Sequence, residues 1–247
     1  MRPWSSWRVA IAWPRKRRTA WASSVPRGYW RLPDIGTEEV VVSGLPFLQG
    51  KTRRLPGDRL VAKMLFKGHN EDLSPLDAAA GHFFQVLKAF KHRGIMRARG
   101  AKKPGGIDVY RVDGTLVERW MLKTVINVTF GRHVTPADRW RPPESWVRCV
   151  FGRVTFPARC GFYLLPREAN VVESSLSSLG VKLLTRSNGS TVSLIGGQFR
   201  IEEMQFAVMM TPLSERHAGG YRTRVLRDKP SLDVRQVVNI EWKAPTD

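Results

Sequence analysis

The densest chemistry in the chain is cationic. Between Lys88 and Lys103 it places Lys88, Lys91, Arg93, Arg97, Arg99, Lys102 and Lys103 without one carboxylate among them. Such a block meets phosphate oxygens and releases the counterions condensed on a polyanion, or it simply solvates a helix end whose dipole favours cations. Arg53, Arg54, Lys63 and Lys67 add the same sign. Asp72, Asp77, Asp108, Asp113 and Glu118 carry the oxygen donors a hard cation takes. Asp77, however, reads as the acid of a helix first turn, and Asp113-Gly114 as a hairpin or loop turn. Cys149 and Cys160 stand eleven positions apart. They lack the paired spacing of a thiolate metal site and read as buried free thiols in strands. Gly-x-Ser-x-Gly, the phosphate-binding loop and the dinucleotide fingerprint do not occur.

The chain holds 247 residues, 41 Lys+Arg against 21 Asp+Glu, and a formal charge of +20. That charge is unevenly spread: +8 over residues 1–33, −3 over 34–50, +13 over 51–160 and +2 over 161–247. Attraction for a polyanion therefore belongs to the first 160 residues, and nucleic acid is the partner expected. A hydrophobic fraction of 42% supports a real core, and two cysteines exclude a disulfide framework. The longest apolar runs, such as Phe206 to Met210, fall far short of the roughly 20 residues that cross a bilayer. No membrane association and a cytoplasmic location are expected.

The elements that must position these groups begin after residue 36. Residues 1–36 mix Trp4, Trp7, Trp13, Trp21 and Trp30 with Arg15, Lys16, Arg17 and Arg18, and are broken by Pro3, Pro14, Pro26 and Pro33. They read as a disordered basic tail, with phosphate contact and base stacking as the functional alternative. Glu38 to Ser43 and Arg59 to Phe66 read as strands. Ser74-Pro75-Leu76-Asp77 reads as a cap serine, a proline at the first helical position and an acid at N3. The helix it opens carries Leu76, Ala79, Ala80, Phe83, Phe84, Leu87 and Phe90 as an apolar stripe and is expected to stop at Gly94. A second helix over Leu116 to Val128 has almost no polar face and must be buried, with Trp120 in the core. Beyond Pro142-Pro143, a weak boundary near 141–144, the pattern turns to short strands. These are Trp146 to Phe151, Gly161 to Leu165, Val181 to Thr185, Thr191 to Ile195, Gln198 to Glu203, Gln205 to Met210 and Val234 to Trp242. Ser187-Asn188-Gly189-Ser190 supplies a hairpin turn. The fold class expected is α+β: a single domain over 37–247, its helical part followed by a mainly antiparallel β-sheet.

Leu65 to Asp77 reads LFKGHNEDLSPLD, and Glu118 to Lys123 reads ERWMLK. Together these words resemble a group of bacterial HNH-like, zinc-supported nuclease-related proteins with an LCxxHNxxLSPLD segment followed by an ERWxLK helix. The likeness covers about Leu60 to Gly131. It implies a ββα-metal site in which His69 and Asn70, with His82 as a further candidate, would activate water and support a metal. The departures are specific. Phe66 stands where the pattern has a cysteine, no cysteine precedes Cys149, and no histidine precedes His69. Tetrahedral zinc takes four Cys or His ligands, and only His69 remains of one pair. No metal site is assigned, and zinc or magnesium is expected only if the HNH-like site survives. The reading is a nucleic-acid-associated protein, degenerate HNH-like, binding phosphates through the basic helix and loop without catalysis. One alternative is a β-rich module that binds a protein or small ligand with no nucleic-acid role; another is a residual metal-dependent HNH-type endonuclease.

Overall fold

Helix α3 (Gly114–Phe130) explains most of the architecture, because a helix with so little polar face needs neighbours on most sides. In the computed structural model it has them: Trp120, Met121, Leu122 and Val125 are wholly buried. The structure describes residues 6–12, 39–43, 53–56, 67–98, 107–130, 141–166, 178–188, 191–202, 204–213, 219–227 and 236–243. Three strands, β1 (Ser6–Ala12), β2 (Glu39–Ser43) and β3 (Arg53–Pro56), precede the helices α1 (Lys67–Asp72) and α2 (Ser74–Ala98). Strand β4 (Asp108–Asp113), α3 and the short α4 (Glu144–Val150) follow. The rest is β: β5 (Gly161–Leu165), β6 (Ser178–Asn188), β7 (Thr191–Ile201), β8 (Met204–Met209), β9 (Val225–Arg227) and β10 (Gln236–Glu241). The α+β class is as expected, with strands also on the N-terminal side of the helices.

Among the described residues the strands form two sheets, ordered β3-β2-β1-β6-β7-β8-β5 and β4-β10-β9. Every pairing in the larger sheet is antiparallel; β10 with β4 is parallel, as their separation by α3 and the intervening strands permits. Strand β8 reads Phe-Ala-Val-Met because both faces of the large sheet are covered there. Phe206 and Val208 face the main core, while Ala207 and Met209 join Tyr163 and Ile195 in a second cluster. The same period of two sends Phe162 of β5 to one face and Tyr163 to the other.

Aromatic contacts join the layers. The Trp120 ring meets Phe84 of α2 at 5.3 Å and Phe199 of β7 at 5.9 Å between centroids. Phe206 receives Phe83 and Phe162 at 5.3 and 5.4 Å. The buried α2 residues Leu76, Ala80, Phe83 and Leu87 recur at the expected three- and four-residue steps.

Several boundaries differ from the sequence reading. Helix α2 continues through Gly94 to Ala98, since one glycine costs a helix only roughly 1 kcal/mol and need not end it. Trp146 to Phe151 is not a strand: Pro143 precedes α4, which buries Trp146, Cys149 and Val150 on one side. Cys149 is thus helical, and Cys160 precedes β5. Asp113-Gly114 is no hairpin, since the Asp113 carboxylate accepts the Leu116 N–H at 3.0 Å and caps α3. The strands expected over Thr191 to Ile195 and from Gln198 onward are one strand, β7, which ends at Ile201 and whose register against β6 shifts between Leu184 and Thr185. Asn188 pairs with Thr191 across the expected hairpin. Within the 1–36 segment read as a tail, Ser6–Ala12 is strand β1, paired with both β2 and β6. The rest of that segment, and the strand expected over Arg59 to Phe66, lie outside the described residues.

Candidate functional site

The residues assigned to water activation lie on two helices, and the two histidines make different contacts. His69 lies on α1, exposed, its ring edge-on to Phe151 with 5.6 Å between centroids. His82, about two turns into α2, is also exposed, and its Nε2–H donates to the Arg111 carbonyl at 2.8 Å. That bond ties α2 to β4 rather than to α1. The Asn70 side chain lies outside the described residues, among which no group of three or more His, Cys, Asp or Glu is placed to hold a metal. Cys149 and Cys160 are free and buried, and burial pushes both thiols up.

The cationic cluster divides. Lys88 is exposed on α2. Lys91 reaches Glu202 at 3.2 Å, and Arg93 pairs with Asp108. Those two cations fasten α2 to the turn after β7 and to the start of β4. The side chain of Arg97, and the residues Arg99, Lys102 and Lys103, lie outside the described residues, as do the side chains of Arg53, Arg54, Lys63 and Lys67.

The two sequence words are joined by charge in the interior. Lys123 Nζ donates to both Asp77 carboxylate oxygens, at 2.8 and 2.9 Å, and its side chain is only 2% exposed. The last residue of LSPLD is thus bound to the last residue of ERWMLK. Asp77, read as a first-turn acid, is also the anchor that holds α2 on α3. Burial raises Asp77, opposed by the charge and hydrogen bonds of Lys123 and by the Trp120 indole; burial likewise lowers Lys123, opposed by Asp77. Trp120 Nε1 lies beyond direct hydrogen-bonding geometry, so its pull on Asp77 is the weakest.

Glu118, four positions after the Asp113 cap residue's neighbour Gly114, is buried on the same helix. Its Oε1 accepts the Phe162 N–H at 2.7 Å and Arg222 Nε at 3.1 Å, while Oε2 accepts Arg222 Nη2 at 2.8 Å. The Arg222 guanidinium lies over the rings of Tyr221 and Trp242, at 5.5 and 5.4 Å. This arrangement locks β5 and the segment before β9 onto α3. Burial raises the Glu118 carboxyl, with the Arg222 bonds opposing. Both carboxylate oxygens of Glu118 are thus engaged in holding these elements together.

Arg119 differs from its neighbours. Its Nε donates to the Val150 carbonyl at the end of α4, at 2.9 Å. No carboxylate pairs with its guanidinium among the described residues, and burial lowers its pKa, with Asp113 pulling the other way. These buried charges were the part the sequence reading missed. Their signal was available: Glu118 and Lys123 lie within a helix that has almost no polar face, and charges there need partners.

No family model, curated protein or solved structure matches the chain. None of the helices is long and apolar enough to cross a membrane, among the described residues.

Proposed function

We propose that the protein associates with nucleic acid by phosphate contact and performs no hydrolysis, as a degenerate relative of HNH-like nucleases. The observation that carries the reading is the +13 charge of residues 51–160, with seven cations and no acid from Lys88 to Lys103. In support, Lys88, Arg141, Arg148, Arg153 and Arg159 are exposed and form no ion pair among the described residues. Mobile cations of this kind exchange condensed counterions for protein charge, a gain that salt weakens steeply. The edge contact of His69 with Phe151 and the bond of His82 to the Arg111 carbonyl give each histidine a packing role that needs no metal. The internal pairing of LSPLD with ERWMLK gives those words a structural role that needs no metal.

Filter binding of the full chain to labelled nucleic acid at 50 and 200 mM salt tests this. Six phosphate contacts would lower affinity by roughly a thousandfold over that interval. Absence of binding at low salt, or binding indifferent to salt, would leave the β-rich half as a protein- or ligand-binding module. Plasmid cleavage in magnesium, manganese or zinc that is lost in His69→Ala would instead restore the nuclease reading.

A further inference from the structure

We infer that Arg119, Arg148 and Arg153 form a phosphate-binding site at the turn that follows α4. The site itself stands on its own geometry, and only the identification of its natural ligand as a nucleic-acid phosphodiester rests on the function proposed above.

The turn is shaped around a guanidinium. An added Cβ at Gly152 would lie 2.8, 2.9 and 3.0 Å from Cζ, Nη1 and Nη2 of Arg119. Three nearly equal distances mean that the flat face of the guanidinium rests on the glycine. Gly152 also has φ +68°, a left-handed conformation that a side chain resists, so the position favours glycine twice over. With one face covered and Nε spent on Val150, the two terminal nitrogens remain as a fork. Gly152 is itself exposed, which sets the half-buried guanidinium at the surface of the turn.

The same turn gathers further positive charge. The Arg153 backbone N–H donates to the Arg148 carbonyl at 2.9 Å, which closes the turn with an exposed arginine at each end. Arg153 lies 5.7 Å over the Phe151 ring, whose edge contact with His69 brings α1 to the same rim. The nearer acids are committed elsewhere. Glu118 holds Arg222, and Asp113 holds Lys243 at 2.8 Å together with the Leu116 N–H. Glu71, Asp72 and Glu144 lie on the exposed surface.

A half-buried guanidinium without a carboxylate is costly unless an anion arrives to pair with it. The planar fork matches two phosphate oxygens, and two more arginines at the rim supply charge without burial.

The full chain, labelled with 15N in its arginines, is titrated with inorganic pyrophosphate at constant ionic strength. The Arg119 Nε–H signal, assigned by its loss in a folded Arg119→Lys variant, is expected to move and saturate. Arg148→Gln combined with Arg153→Gln, both exposed and unpaired, should leave the melting temperature unchanged and weaken this binding about fivefold, the loss of two charge-assisted contacts. In a second arm, anisotropy of a fluorescein-labelled single-stranded 20-mer is read against salt. The double variant should reduce the slope by about 1.4, at roughly 0.7 per phosphate contact. An Arg119 signal that ignores pyrophosphate overturns the site, whatever the oligonucleotide does. A signal that moves while the wild type binds no oligonucleotide keeps the phosphate site and defeats the nucleic-acid reading. Oligonucleotide binding whose slope the double variant leaves intact places the nucleic acid elsewhere and refutes the assignment of its ligand.

Discussion

The Asp77–Lys123 pair offers the sharpest test of how the two sequence words work. In Asp77→Asn, the Lys123 ammonium stays in a site where its side chain is 2% exposed, without the carboxylate that held two of its protons. Removing one partner of a buried pair costs about 3–5 kcal/mol, because the other charge remains unpaired. Asp77 is 26% exposed, so water replaces some of what it loses and the reverse deletion is milder. The expected costs are about 3 kcal/mol for Asp77→Asn and about 2 kcal/mol for Lys123→Met. The double variant removes both charges and should lie about 1–2 kcal/mol below wild type, leaving a coupling energy of about 3 kcal/mol. Urea unfolding with an unchanged slope measures each value. In melting, 3 kcal/mol corresponds to a shift of roughly 6–12 °C for a chain of this length. A Lys123→Met cost under about 0.5 kcal/mol, or additive single costs, would refute the claim that this pair fastens α2 to α3.

Glu118 supplies a pH test. Its pKa is raised above the ordinary 4.5, so within the window that begins there the folded state binds more protons than the unfolded one. Stability must therefore fall as pH rises through that window. The wild type should lose stability relative to Glu118→Gln from about pH 4.5 upward, measured by urea unfolding; a difference that grows with pH would contradict the burial argument. Gly161 has φ +116°, and a side chain there would run into the Glu118 carboxylate. Gly161→Ala should cost at least about 2–3 kcal/mol in the same assay. Gly219, with nothing within 4 Å of an added Cβ, should accept alanine within about 0.5 kcal/mol. Equal costs at the two glycines would show that Glu118 does not depend on the space at 161.

Short-range rules made much of the architecture legible before any coordinates. The α2 opening at Ser74-Pro75, the buried α3, and strands β5, β8 and β10 follow from caps and apolar periods that act within a few residues. The misplaced elements had a long-range cause. Trp146-Val147-Arg148-Cys149-Val150 is rich enough in β formers to read as a strand, yet it becomes α4 because Trp146, Cys149 and Val150 then reach the same core. Strand β1 lies in a segment rich in tryptophan, arginine and proline, and gives no period that reveals its partners, which lie more than 25 residues away in β2 and more than 160 away in β6.

Composition and order alone thus determined the excess of positive charge, the class of fold and the two words LSPLD and ERWMLK. Only the tertiary structure decided what those words do. Asp77 and Lys123 are 46 positions apart, and Glu118 and Arg222 are 104 apart. The partner of a buried charge is set by which elements pack together. The same holds for Arg119, which in sequence is one cation of many and in the fold rests its guanidinium on Gly152, with no carboxylate paired to it among the described residues.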